Sequence, residues 1–122
     1  MSYWDRIKYF TPEEMGAEDM DFVLMNKLNI FAALIRYPVI IHCGYETSGH
    51  APDSYHYRKM AADFHVKDHP NYDKQFRILM DLRFNGIGWY PEWNNPGWHV
   101  DVRPENLFSI WKKVGGKYIY FR

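Results

Sequence analysis

Six histidines stand at positions 42, 50, 56, 65, 69 and 99 among fifteen acidic residues. Imidazoles and carboxylates are the donors that hold a catalytic zinc ion, which takes three protein ligands and keeps a fourth position for water. His56 and Asp63 are seven residues apart. On one helix that separation is two turns, about 10 Å of rise, too far for both to meet one ion. On one straight strand an odd separation sends them to opposite faces, so convergence requires a bend or bulge between Tyr57 and Met60. His99 and Asp101 are two apart in an alternating stretch and share a strand face, so one can bind metal while the other assists. Spacing alone selects no set, because six histidines among fifteen acids produce such separations by chance.

The elements that must position these residues can be read from pattern. Thr11-Pro12-Glu13-Glu14 carries an N-cap, a proline suited to the first turn and a glutamate at the third helical position, so a short helix starts here. From Asp19 to Arg36 the residues Phe22, Val23, Met25, Leu28, Ile30, Phe31, Leu34 and Ile35 recur at three- and four-residue steps, which predicts an amphipathic helix. Tyr37-Pro38 ends it, and Val39-Ile40-Ile41 reads as a buried strand. Gly44 to Asp53 is a loop by composition. Ala61 to Val66 predicts a second strand, Tyr72 to Phe84 a second long helix closed by Asn85-Gly86, Ile87 to Tyr90 a third strand and Trp98 to Val102 a fourth. The tail from Trp111 to Phe121 has paired glycines between β-prone runs and reads as a hairpin. The expected fold is α+β, a small and largely antiparallel sheet flanked by helices.

At 122 residues, the chain fits one domain spanning 1–122. It is 47% apolar and 19% aromatic, which excludes disorder. Fifteen basic residues balance fifteen acidic ones, so no basic field points to nucleic acid or anionic lipid. The single cysteine, Cys43, excludes an intramolecular disulfide and a multi-cysteine zinc knuckle. No apolar run approaches the roughly 20 residues of a membrane span, and the first residues show no signal-peptide pattern, so synthesis in the cytoplasm is expected.

Ser54, His56, Ala61 and Asp63 stand in the order Ser-x-His-x-x-Gly-x-Ala-x-Asp. This resembles the signature of zinc D-Ala-D-Ala carboxypeptidases and related L-Ala-D-Glu endopeptidases. Gly86, Gly88, Tyr90 and Pro91, followed by His99-Val100-Asp101, look like the Gly-x-Gly-x-Tyr-Pro and His-Val-Asp segments of a small branch of that group. Cys43-Gly44-Tyr45-Glu46 falls where the family has Ser-Gly-Tyr-Arg. The resemblance covers about Pro38 to Arg103. It implies a Hedgehog/DD-peptidase-like fold, one Zn²⁺ ion on His56, Asp63 and His99, and hydrolysis of a peptide bond in peptidoglycan by a monomer acting at the cell wall, with phage-type release as one route there. It also implies that Ser54, Tyr45, Glu46, Tyr90 and Arg103 contact substrate or shape its site.

Besides Cys43 in place of serine, three departures from the pattern bear on the chemistry. Lys59 replaces the glycine between the first two ligands; lysine tolerates positive φ poorly, so the bend is expected to be built differently. Glu46 replaces an arginine suited to a substrate carboxylate, which favours an endopeptidase or an altered substrate over a carboxypeptidase. Pro96 occupies the usual place of the general base, leaving Asp101 as candidate base and Glu92 as second. Plainer roles stand beside these. His42 reads as a hydrogen-bonded core or edge histidine, His50 and His69 as solvated loop residues with His50 able to line a cleft, and His65 as a spare ligand or proton donor. Cys43 reads as a small buried filler. Trp89, Tyr90, Trp93 and Trp98 divide between packing and a cleft wall, and Asp101 with Arg103 can be a structural ion pair. The alternatives to an enzyme are an inactive zinc- or wall-binding module and a phage structural protein.

Overall fold

In the computed structural model, which describes residues 2–122, each predicted helix start is fixed by a side chain. Thr11 accepts from the Glu14 backbone N–H while Glu14 reaches back to the Thr11 N–H, and Pro12–Met15 forms helix α1. Asp21 accepts from the Leu24 N–H and opens helix α2, Phe22–Ile35. Leu24, Met25, Leu28, Phe31, Ala32 and Ile35 are its buried residues. Phe22, Val23, Ile30 and Leu34 were expected on the same apolar stripe, but all four are exposed. The helix carries more apolar residues than one face can bury.

Asn71 caps helix α3, Tyr72–Asp81. The sequence pattern carries this helix on to Phe84; the chain instead leaves it three residues earlier. Arg83 adopts a left-handed φ of 60°, and Phe84 turns inward to complete burial. Burying a phenylalanine is worth about 2 kcal/mol, more than the last helical turn gains by continuing.

Strands β1 (Val39–Cys43), β2 (Ala61–Val66), β3 (Gly86–Tyr90), β4 (Gly97–Asp101), β5 (Ser109–Val114) and β6 (Lys117–Tyr120) form one sheet in the order β1-β2-β4-β3-β5-β6. Its pairings are antiparallel except β3 with β5, which is parallel. The sheet is therefore largely antiparallel, as expected, but mixed, with one parallel pairing that the sequence pattern did not show. Asn85 fixes that departure: its N–H donates to Asp101 O at 3.0 Å and its carbonyl accepts from Ser109 N at 2.9 Å. The chain leaving β4 thus passes the start of β3 and enters β5 beside it. Gly115 and Gly116 take positive φ at the β5–β6 turn.

Alternation along the strands divides the sheet into two faces. Ala62, Phe64 and Val66 of β2, Ile87 of β3, and Trp98 and Val100 of β4 join the α2 residues in one buried cluster, with Phe31 and Phe64 packed at 5.4 Å between ring centroids. The intervening positions, Asp63 on β2 and His99 on β4, are cross-strand partners. A β-carbon at Gly86 would run into the Asp101 carboxylate, and one at Gly88 into the Trp111 indole. The Gly-x-Gly spacing of β3 therefore leaves room for side chains from neighbouring strands. No helix among the described residues is long and apolar enough to cross a membrane.

Candidate metal centre

His56 lies in a run of tight turns. Tyr57 N donates to Ser54 O at 3.2 Å, Arg58 N to Tyr55 O at 3.1 Å, and Lys59 N to His56 O at 3.3 Å. The turn reverses at Lys59, whose φ is 60°. Lysine thus takes the left-handed conformation that was expected to be avoided. That conformation costs about 1–2 kcal/mol for a residue with a β-carbon, and three contacts hold it. The Lys59 carbonyl accepts from Asp21 N at 2.9 Å, its Nζ meets Asp19 Oδ2 at 2.7 Å, and the same ammonium sits 5.0 Å from the centre of the Tyr45 ring. The bend between Tyr57 and Met60 aims His56 at the sheet.

There His56 Nε2 lies 3.1 Å from Asp63 Oδ1, and His99 Nδ1 lies 2.9 Å from the same oxygen. The three residues form a group able to hold a metal ion. The other nitrogen of each ring reveals the tautomer. His56 Nδ1 faces the Gly44 carbonyl at 2.8 Å, a group that can only accept, so Nδ1 carries hydrogen. His99 Nε2 faces Asp101 Oδ2 at 2.7 Å. That carboxylate also accepts from Arg103 Nε at 2.8 Å and Nη2 at 2.7 Å, so it is ionised and Nε2 carries the hydrogen. Both inward nitrogens are then lone pairs directed at a carboxylate oxygen, and three acceptors converge on one point. Such a cluster requires a cation, either a proton or a metal ion.

The electrostatics agree. Burial by itself would raise the Asp63 carboxyl, but in the metal-free chain a proton on the cluster turns its contacts with His56 and His99 into hydrogen bonds that hold it well below the usual range. Burial would lower His99, yet its bonds to Asp101 and Asp63 push it up to about 9. Asp101 is likewise held down at about 2 against burial by Arg103 and His99. For the metal-free chain the signs follow. The raised His99 contributes stability that is complete below its ordinary 6.5 and is lost as pH climbs through about 9. The depressed Asp63 and Asp101 contribute stability present above their ordinary 3.8 and lost on acidification. Because metal must displace the His99 proton, affinity is expected to rise about tenfold per pH unit from about pH 7 to about 9. Competition with a chromophoric chelator at stepped pH checks this; a flat profile would show that no proton is displaced.

The cluster opens into a cleft of about 770 Å³ whose lining includes Ser54, Tyr90 and Arg103. Ser54 Oγ accepts from His56 N at 3.2 Å, and Tyr90 OH accepts from Trp111 Nε1 at 3.1 Å, burial pushing its phenol upward. Tyr45 and Glu46 are not among the lining residues. Tyr45 donates its N–H to Met15 O and packs on the core, while Glu46 is exposed. Glu92 Oε1 accepts from Gly115 N at 2.7 Å, so it fastens the β5–β6 turn. Asp101 has no exposed surface and stands behind His99 with its oxygens engaged.

Some of the surroundings escaped the sequence pattern. Cys43 is half-buried beside the centre, its Sγ 3.4 Å from His50 Nε2 and 3.5 Å from His56 Nδ1, and these three form a second group able to hold a metal ion. His69 is buried against Gln75 rather than solvated. Trp89 and Trp98 pack at 4.5 Å against one another, whereas Tyr90 and Trp93 stack at 4.4 Å in the cleft wall. Trp111, Lys113, Tyr118 and Tyr120 also line the cleft; two-residue alternation across the tail hairpin was the signal that could have placed them. Comparison with protein-family models, with curated proteins and with solved structures yields no match to this chain.

Proposed function

We propose that the chain is a zinc-dependent peptidase with a Hedgehog/DD-peptidase-like fold, cutting a peptide bond in peptidoglycan stem or cross-link peptides. One observation carries this: two imidazole lone pairs and an ionised carboxylate converge on one point at the floor of an aromatic cleft. His56, Asp63 and His99 would hold the ion. Bound zinc supplies a Lewis acid that polarises a carbonyl and brings the pKa of a coordinated water toward neutrality.

The protein's own groups do the rest. The Gly44 carbonyl and Asp101 orient the two imidazoles. His50 lines the cleft, its ring stacked on that of His56 at 4.3 Å. Burial and His56 hold its pKa below the ordinary histidine value, so it is neutral near pH 7 and suited to take the proton and return it to the leaving amine. Lys113 lines the cleft with no carboxylate within 4.0 Å among the described residues, and it offers a substrate carboxylate the cation that Glu46 does not. Tyr90 and Trp93 give a flat aromatic wall for the peptide.

Pro96 at the usual position of the base favours a second reading, a module that binds metal or wall material without turnover. Incubating purified wall peptides with zinc-loaded and chelator-treated protein separates the two. The peptidase releases new amines only when loaded; a binding module releases none in either condition.

A further inference from the structure

We propose that His42 and His65 form a second, weaker site for a divalent transition-metal ion of the imidazole-preferring kind, Zn²⁺, Ni²⁺ or Cu²⁺. The site is built by an irregularity in β1. Its pairing with β2 runs Val39 with Val66, Ile40 with His65 and Ile41 with Phe64, then jumps to Cys43 with Asp63, leaving His42 as an extra residue. In a regular strand His42 and Cys43 would point to opposite faces. The bulge lets both reach groups on the cleft side: Cys43 comes to 3.5 Å from His56, and His42 Nε2 to 2.6 Å from His65 Nδ1. His65 shares its face with Asp63, two residues before it on β2, so the pair sits on the metal-centre side of the sheet.

Two neutral imidazoles this close share one hydrogen, donated by one facing nitrogen to the lone pair of the other; moving that hydrogen to the donor ring's other nitrogen, with a small outward movement of either ring, leaves two lone pairs for a chelated cation. Imidazole nitrogens suit zinc, nickel and copper rather than magnesium or calcium. His42 is exposed and His65 half-buried, so solvent can complete the coordination shell. With two protein ligands and no carboxylate among them, this site is weaker than the one on His56, Asp63 and His99. The Trp93 ring lies 5.1 Å from that of His42 and 4.4 Å from that of Tyr90, which places the second ion one aromatic ring from the cleft. The proposal stands whether or not the protein is a peptidase.

Titrating Zn²⁺ into the metal-stripped full chain against a competing chelator tests it, with ring-nitrogen NMR as a second readout. Two ions are expected, the second shifting the His42 and His65 ring resonances. His42→Ala and His65→Ala should each weaken the second ion about tenfold or more and leave the first unchanged; His42 is exposed on an edge strand, so its loss leaves the fold intact. Binding of a single ion overturns the proposal. So does a second ion indifferent to both substitutions, such as one held by Cys43 and His50.

Discussion

Asp63→Ala is expected to weaken metal binding at the cleft by at least about two orders of magnitude while leaving a folded chain. Asp63 Oδ1 is the one atom that both inward nitrogens face, at 3.1 and 2.9 Å, and its side chain keeps 15% of its surface exposed, so truncation opens no cavity in the core. On the zinc reading, loss of one of the three ligands should cost at least about two orders of magnitude in affinity, about 2.8 kcal/mol. The metal-free chain also loses one of the two carboxylates that hold His99 protonated, so the His99 pKa should fall. Metal analysis after dialysis, in a His42→Ala background so that one centre is counted, reads the first effect; imidazole NMR reads the second. A variant that retains one ion at wild-type affinity would show that the three side chains do not share a cation. Peptide turnover, on the peptidase reading, should drop to the level of chelator-treated protein.

The sequence made the fold's local features legible where a single residue sets them. The Thr11–Glu14 capping box, the Tyr37-Pro38 stop and the Gly115-Gly116 turn act through nearest neighbours. What depended on distant parts of the chain was hidden. Helix α3 stops short because Phe84 has a core to enter, and β5 runs parallel to β3 because Asn85 ties it there. Lys59 bends left-handed because Asp19, Asp21 and Tyr45 hold it, none of which a local propensity could weigh. The same division runs through the site. The His56, Asp63 and His99 set followed from a motif, and the need for a bend after Tyr57 followed from strand geometry. The Gly44 carbonyl that decides the His56 tautomer appears only in the folded chain, and the role of Asp101 toward His99 only once its burial is known. Asp101 sits on the same strand face as His99, which suggested a base in the cleft. Two residues along a strand can equally place one side chain behind the other, and burial decides between those cases.

That distinction makes Asp101→Asn the sharper test. A base removed in this way would leave metal affinity intact and stop turnover. A positioning residue behaves differently. The substituted amide has a single acceptor oxygen and cannot serve His99 and Arg103 together as the two carboxylate oxygens do, so the imidazole loses its fixed tautomer and direction. Metal affinity should fall about 10- to 100-fold, the usual effect of losing such a partner, while on the zinc-peptidase reading turnover at saturating zinc is largely retained. Stability should fall as well. Arg103 is left half-buried between the Tyr55 and Trp111 rings, at 4.9 and 5.2 Å, without the carboxylate that neutralises it, and breaking a buried ion pair on one side costs about 3–5 kcal/mol; the partial exposure of Arg103 places the expected loss at the lower end. Urea unfolding of the metal-free protein measures that term, and a zinc titration of activity measures the other. Full metal affinity combined with lost turnover would restore Asp101 as the base. Weakened binding, with activity recovered by added zinc, places it behind the imidazole, where its contacts with His99 and Arg103 already put it.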